Sequence, residues 1–136
     1  MVMSCGGNSQ KSRALIQACK LGNLDEVEEL IYEGANVDAR DGRGNSALKW
    51  ACTGKHLEVV KFLLDHGADF NAPNRDGQTP LMAASYVGVP DLTVLLISYG
   101  ADINVRDNAG KTALRWAIDK KHYDVRDILV EEGGRE

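Results

Sequence analysis

Ala35-Asn36-Val37-Asp38-Ala39-Arg40-Asp41-Gly42-Arg43-Gly44-Asn45-Ser46-Ala47-Leu48-Lys49-Trp50-Ala51-Cys52-Thr53 opens a unit that closes on Gly67. Its first part, through Asn45, is rich in Gly, Asn and Asp, the composition of a turn or short hairpin. Ser46 suits an N-cap, because its hydroxyl can accept from a free N–H of the first helical turn. Leu48, Ala51 and Cys52 then fall at i, i+3 and i+4, which predicts one buried stripe on a short helix ending near Thr53. Gly54-Lys55-His56 reverses the chain. A second helix is predicted from Leu57 to about His66, burying Val59, Val60, Leu63 and Leu64, with Gly67 as its left-handed C′ residue.

The same plan recurs. Gly34, Gly67, Gly100 and Gly133 are spaced by 33 residues, and the first three begin Gly34-Ala35-Asn36, Gly67-Ala68-Asp69 and Gly100-Ala101-Asp102. A fixed period of this size marks stacked supersecondary units that share one core. Thr79-Pro80-Leu81 places a cap and an N1 proline in the second copy, and Thr112-Ala113-Leu114 occupies the same place in the third. Upstream, Leu15, Ala18, Gly22, Leu24, Leu30, Ile31 and Gly34 match Leu48, Ala51, Lys55, Leu57, Leu63, Leu64 and Gly67. The expected organisation is therefore a flexible tail over 1–11, a capping helix pair over 12–34, repeats over 35–67, 68–100 and 101–133, and a short tail over 134–136. Glu26 in place of Val59 and Arg126 in place of Val60 give the end units polar outward faces, as a complete array requires.

The chain's 136 residues leave room for one core, and its 43% hydrophobic content suits a folded domain. A net charge of −4 disfavours nucleic acid as principal partner, since domains that bind it are usually basic. No apolar run approaches a membrane span, and Met1 to Gln10 lacks the apolar core of a signal peptide. Val2 excludes N-myristoylation on pattern. Cys19 and Cys52 occupy equivalent positions in neighbouring units. Helix axes about 8–10 Å apart exceed the roughly 7 Å Cα limit for a disulfide, so both are expected as reduced core residues. A cytoplasmic or nuclear location follows as an expectation. Cys5 stands alone in the expected tail.

The residues Asp76-Gly77-Gln78-Thr79-Pro80-Leu81-Met82-Ala83-Ala84 and His56-Leu57-Glu58-Val59-Val60-Lys61-Phe62-Leu63-Leu64-Asp65-His66-Gly67-Ala68-Asp69-Phe70-Asn71-Ala72 resemble the ankyrin repeat, in three in-phase copies. The resemblance implies an all-α solenoid of stacked helix-turn-helix units with projecting β-hairpin loops facing a concave groove. It also implies a non-catalytic module that binds another protein, without cofactor or metal. Three departures qualify it. The family histidine after T-P-L is Lys49, Met82 and Arg115 here. The family glycine between helices is Lys55, Gly88 and Lys121, and a non-glycine left-handed residue costs on the order of 1 kcal/mol. Thr93 and Arg126 replace core valines. Modest stability is expected.

Enzymatic and metal motifs do not hold up. Asp41-Gly42-Arg43-Gly44-Asn45-Ser46 lacks the Gly-Lys-Ser/Thr ending of a phosphate loop and follows no βαβ strand. His56 and His122 are equivalent residues two units apart, too distant to share an ion. No catalytic residues, metal ligands or cofactor site are assigned. Asn71 and Asn104 resemble hydroxylation targets of an asparaginyl hydroxylase, with leucine eight residues upstream; bridging adjacent loops through their amides is the alternative.

The groove residues expected to bind a partner are Arg40, Arg43, Asn45, Lys49, Trp50 and Thr53, then Arg75, Asp76, Gln78, Met82, Tyr86 and Val87. From the third repeat come Arg106, Asn108, Lys111, Arg115, Trp116, Asp119 and Lys120, with Lys20 and Leu21 from the opening pair. Basic residues dominate this set, whereas the second helices carry Asp25, Glu26, Glu28, Glu29, Asp91, Asp124, Asp127, Glu131 and Glu132. A monomeric adaptor or inhibitor with a basic groove for an acidic partner surface is expected, nucleic-acid binding being the alternative. Trp50 and Trp116 hold the same repeat position. They are either exposed anchors or half-buried under neighbouring loops.

Overall fold

A computed structural model describes residues 2–136, with side chains from Ser9 onward. Its helices are α1 Val2–Leu21, α2 Leu24–Tyr32, α3 Ala47–Thr53, α4 Leu57–Asp65, α5 Pro80–Val87, α6 Pro90–Ser98, α7 Ala113–Asp119 and α8 Tyr123–Glu131. Helices α1, α3, α5 and α7 pack in sequence as an inner row, and α2, α4, α6 and α8 form an outer row behind them. Helices of seven to nine residues are marginal alone in water. Stacking stabilises them: one continuous core runs from Leu15 through Leu48, Leu63, Leu81 and Leu96 to Leu129.

Local chemistry fixes each inner helix. The hydroxyls of Ser46, Thr79 and Thr112 accept from the N–H groups of Lys49, Met82 and Arg115 at 3.0, 3.4 and 3.2 Å, and Pro80 opens α5 at the position where its missing N–H is harmless. The period-setting glycines take the left-handed conformation, with φ of 95°, 86°, 104° and 91° at Gly34, Gly67, Gly100 and Gly133.

The connecting segments differ from the expected β-hairpins. Among the described residues no strand forms, and only Arg40 and Ser46 make an isolated antiparallel bridge. Each loop is instead a tight turn closed by two backbone bonds: Asp41, Asn74 and Asp107 N–H donate to Asn45, Gln78 and Lys111, and Gly44, Gly77 and Gly110 N–H donate back to Asp41, Asn74 and Asp107. These turns are too short to propagate a ladder. They stack on one another, with Arg75 N–H donating to Arg43 C=O at 3.1 Å and Asn108 N–H to Asp76 C=O at 2.9 Å.

The N-terminal segment expected as a tail over 1–11 carries helical backbone from Val2. Once Leu15, Ile16, Ala18 and Cys19 anchor α1 by burial, each added residue meets only the small propagation cost. Cys5 lies outside the described side chains. The segment 134–136 is also held in place: Arg135 N–H donates to Asn104 Oδ1 at 2.8 Å, repeating the bonds from Asp69 to Asp38 and from Asp102 to Asn71.

Cys19 and Cys52 are free and buried, and burial pushes both thiols up to about 12, so they remain protonated core residues. Lys55 and Lys121 adopt φ of 62° and 63°, the strained left-handed conformation expected of them. Gly22 and Gly88 take the same conformation, and a Cβ there would lie 2.3 and 2.4 Å from the rings of His56 and His122. Each histidine belongs to the following unit and places its Nε2 3.0 Å from a backbone oxygen of the preceding one, Lys20 or Tyr86. The residue that follows Lys55 in this sense is Val89, which has no such ring. Glycine therefore stands where a histidine of the next unit packs over it, and lysine where none does. Thr93, fully buried, satisfies its hydroxyl on the Val89 carbonyl at 3.2 Å. Arg126 turns outward over Tyr123 and pairs with Asp127.

Candidate protein-binding groove

The inner row and the loop tips build one face, and the two tryptophans punctuate it. Both are half-buried. The Trp50 indole N–H donates to Asp41 Oδ2 at 2.9 Å, and that of Trp116 to Asp107 Oδ2 at 3.0 Å. Each ring lies under an ammonium, Lys20 or Lys111, 4.3 Å from its centroid. Burial pushes the Asp41 carboxyl up, but bonds from the Trp50 indole, the Asn45 and Arg43 N–H groups and the Asn45 amide outweigh it, leaving its pKa below the usual value. Asp41 and Asp107 were absent from the expected site. The signal was in the chain: an aspartate stands nine residues before each tryptophan. In the middle repeat the corresponding pair is Asn74 and Ala83, so the carboxylate and the indole are replaced together.

The missing indole leaves a cavity of about 310 Å³ lined by Lys49, Thr53, Gln78, Met82, Ala83, Tyr86 and Trp116. Tyr86 and Trp116 meet edge to face at 5.6 Å on one side of it. Met82, 2% exposed, contributes its floor and not an open surface. Lys120 sits over the Tyr86 ring at 4.6 Å. Lys49 is partly buried, and this desolvation lowers its pKa despite the charges of Asp41 and Asp76 nearby.

The other expected residues divide into engaged and free groups. Asn45, 8% exposed, bonds Asp41 and accepts from Asn74 Nδ2 at 2.8 Å, so it joins loops and does not face solvent. Gln78 is half-buried on the same asparagine. Arg40 donates to Pro73 C=O, Arg106 to Gly110 and Glu136 C=O, and Asn108 Nδ2 to Arg75 C=O. Lys111 and Arg115 both pair with Asp119 at 3.1 Å, and Arg115 also reaches Glu136. Burial nudges the Asp119 carboxyl up less than the Lys111 hydrogen bond, the larger cause, lowers it; Arg115 and Lys120 lower it further. Thr53 returns its hydroxyl to the Lys49 carbonyl. Asp76 is exposed, and Val87 half-buried.

Arg43, Lys49 and Arg75 remain without a side-chain partner among the described residues. A second cleft, between α1 and the first loop, brings Arg13, which sequence reasoning missed, beside Lys20, Arg40 and Asp41. Asn71 Oδ1 accepts from Asp102 N–H at 2.8 Å, while Asn104 accepts from Arg135 N–H and donates to Gly133 C=O. Both asparagines bridge adjacent loops. Among the described residues no group of three His, Cys, Asp or Glu side chains could hold a metal ion. No helix of the described residues is long and apolar enough to cross a membrane.

A stack of capped helix pairs with turn loops on one face defines a helical-repeat solenoid. The family of ankyrin repeats (3 copies) matches residues 3–74 and 70–135, and the chain belongs to it. Ankyrin repeats are generally protein–protein interaction modules and typically non-catalytic. No curated protein matches the chain.

Proposed function

We propose that the protein is a non-catalytic adaptor or inhibitor whose concave groove binds an acidic segment of a partner protein. Capping is assigned to the helix pair over 12–34 and the repeat over 101–133. The observation that carries the reading is a set of cations without an ion pair among the described residues: Arg43, Lys49 and Arg75 touch no carboxylate, while Lys111 and Arg115 of the third repeat pair with Asp119. An acidic partner segment supplies the direct pairing these three lack and steers encounter.

The test is crosslinking capture of partners by the intact chain, compared with Arg43→Glu/Arg75→Glu. Arg106 is left unchanged, because its guanidinium holds the third loop. Affinity for the captured partner is expected to fall at least about tenfold, with a shallower dependence on salt. Equal affinity and equal salt dependence in the double variant would refute the acidic-partner reading.

A further inference from the structure

We propose that the cavity over Ala83 is the anchor subsite of the groove, and that it receives an aromatic side chain from an acidic segment of a protein partner. The inference rests on the groove reading above and names the chemistry of what enters it.

Three observations carry it. First, the void has the place of an indole: the first and third repeats fill this position with Trp50 and Trp116, and the middle repeat leaves it to Ala83, forming a cavity of about 310 Å³. That volume lies at the lower end for ligand sites, enough for one large side chain and not for an extended ligand. Second, its surface suits a ring. Tyr86 and Trp116 already meet edge to face at 5.6 Å and offer a further aromatic group the same geometry, over a floor of Met82 and Ala83.

Third, the rim lacks a carboxylate that its counterpart has. Arg115, the third-repeat equivalent of Lys49, pairs with Asp119 one helical turn on. In the first repeat that position is Thr53, which turns back to a backbone carbonyl. Lys49 thus borders the cavity with its ammonium partly desolvated and unpaired, and an incoming carboxylate beside the aromatic residue completes the missing pair. Burying a ring in a preformed pocket next to a paired charge is the arrangement that concentrates binding energy in few residues.

Two fluorescein-labelled peptides test this on the intact chain: glutamates on both sides of one phenylalanine, and the same peptide with alanine in its place. The phenylalanine peptide is expected to bind at least about tenfold more tightly. Ala83→Trp, which fills the void with the indole its neighbours hold and leaves the charge of the groove as it is, should abolish that difference. In the unaltered chain, phenylacetate should give saturable NMR shifts at the Trp116 indole N–H and the Met82 methyl but not at the Trp50 indole. This measurement decides the matter if the filled variant fails to fold. Equal binding of both peptides, or phenylacetate shifts absent from Trp116, overturns the anchor while leaving the acidic-partner groove standing. Binding of neither peptide at low salt overturns both.

Discussion

Replacing Gly88 by alanine tests the coupling between adjacent units most directly. Gly88 sits at φ 74°, where a side chain costs about 1–2 kcal/mol. A Cβ there would also stand 2.4 Å from the His122 ring, a separation no real contact tolerates. The ring must shift and release its bond to the Tyr86 carbonyl, 3.0 Å away, worth about 1 kcal/mol. Less the roughly 0.5–1 kcal/mol returned by the lower unfolded-state entropy of alanine, Gly88→Ala is therefore expected to destabilise by about 1–2.5 kcal/mol in all. In a His122→Ala background the same change should cost only the backbone strain less that entropy, about 0–1.5 kcal/mol, a coupling of about 1 kcal/mol. Lys55→Gly is the opposite control. Val89 follows it and no ring crowds the site, so relief of strain less the entropy of glycine should stabilise by about 0.5–1 kcal/mol. Urea denaturation of the four variants of the cycle, with Lys55→Gly alongside, measures these terms. If Gly88→Ala costs the same with and without His122, the histidine is not the reason for glycine, and the reasoning fails.

Two further outcomes follow from the same geometry. Asp41 and Asp119 have lowered pKa values, so each contributes stability that is full above the ordinary carboxylate value near 3.9 and is lost as pH falls through the lower folded value. Tryptophan fluorescence followed from pH 6 downward should therefore change only below about pH 4, as Asp41 protonates and weakens its hold on Trp50; a transition centred near neutrality would contradict this. Incubation with an asparaginyl hydroxylase is expected to add oxygen at Asn104 before Asn71, because Asn104 is the more exposed; intact mass and peptide mapping check it, and an unchanged mass rules it out.

Much of the fold was legible because its causes are local. Ser46, Thr79 and Thr112 cap their helices through atoms three residues away, and the left-handed glycines act on their own backbone, so spacing alone places them. The site was less legible because its causes lie between repeats. Arg40 and Arg106 look alike in sequence to Arg43 and Arg75, yet backbone carbonyls brought up by folding engage the first two. Asn45 and Met82 sit at positions that face the groove by register, but neighbouring loops and helices bury them.

The sequence by itself determined the repeat, its phase and the caps Ser46, Thr79 and Thr112, since each depends on residues within a turn or two of one another. Only the tertiary structure decided which cations are free, why lysine and glycine alternate between the helices, and that replacing one tryptophan by Ala83 opens a cavity. Those outcomes depend on distances between atoms about 30 residues apart in the chain, which stacking brings within a few ångströms.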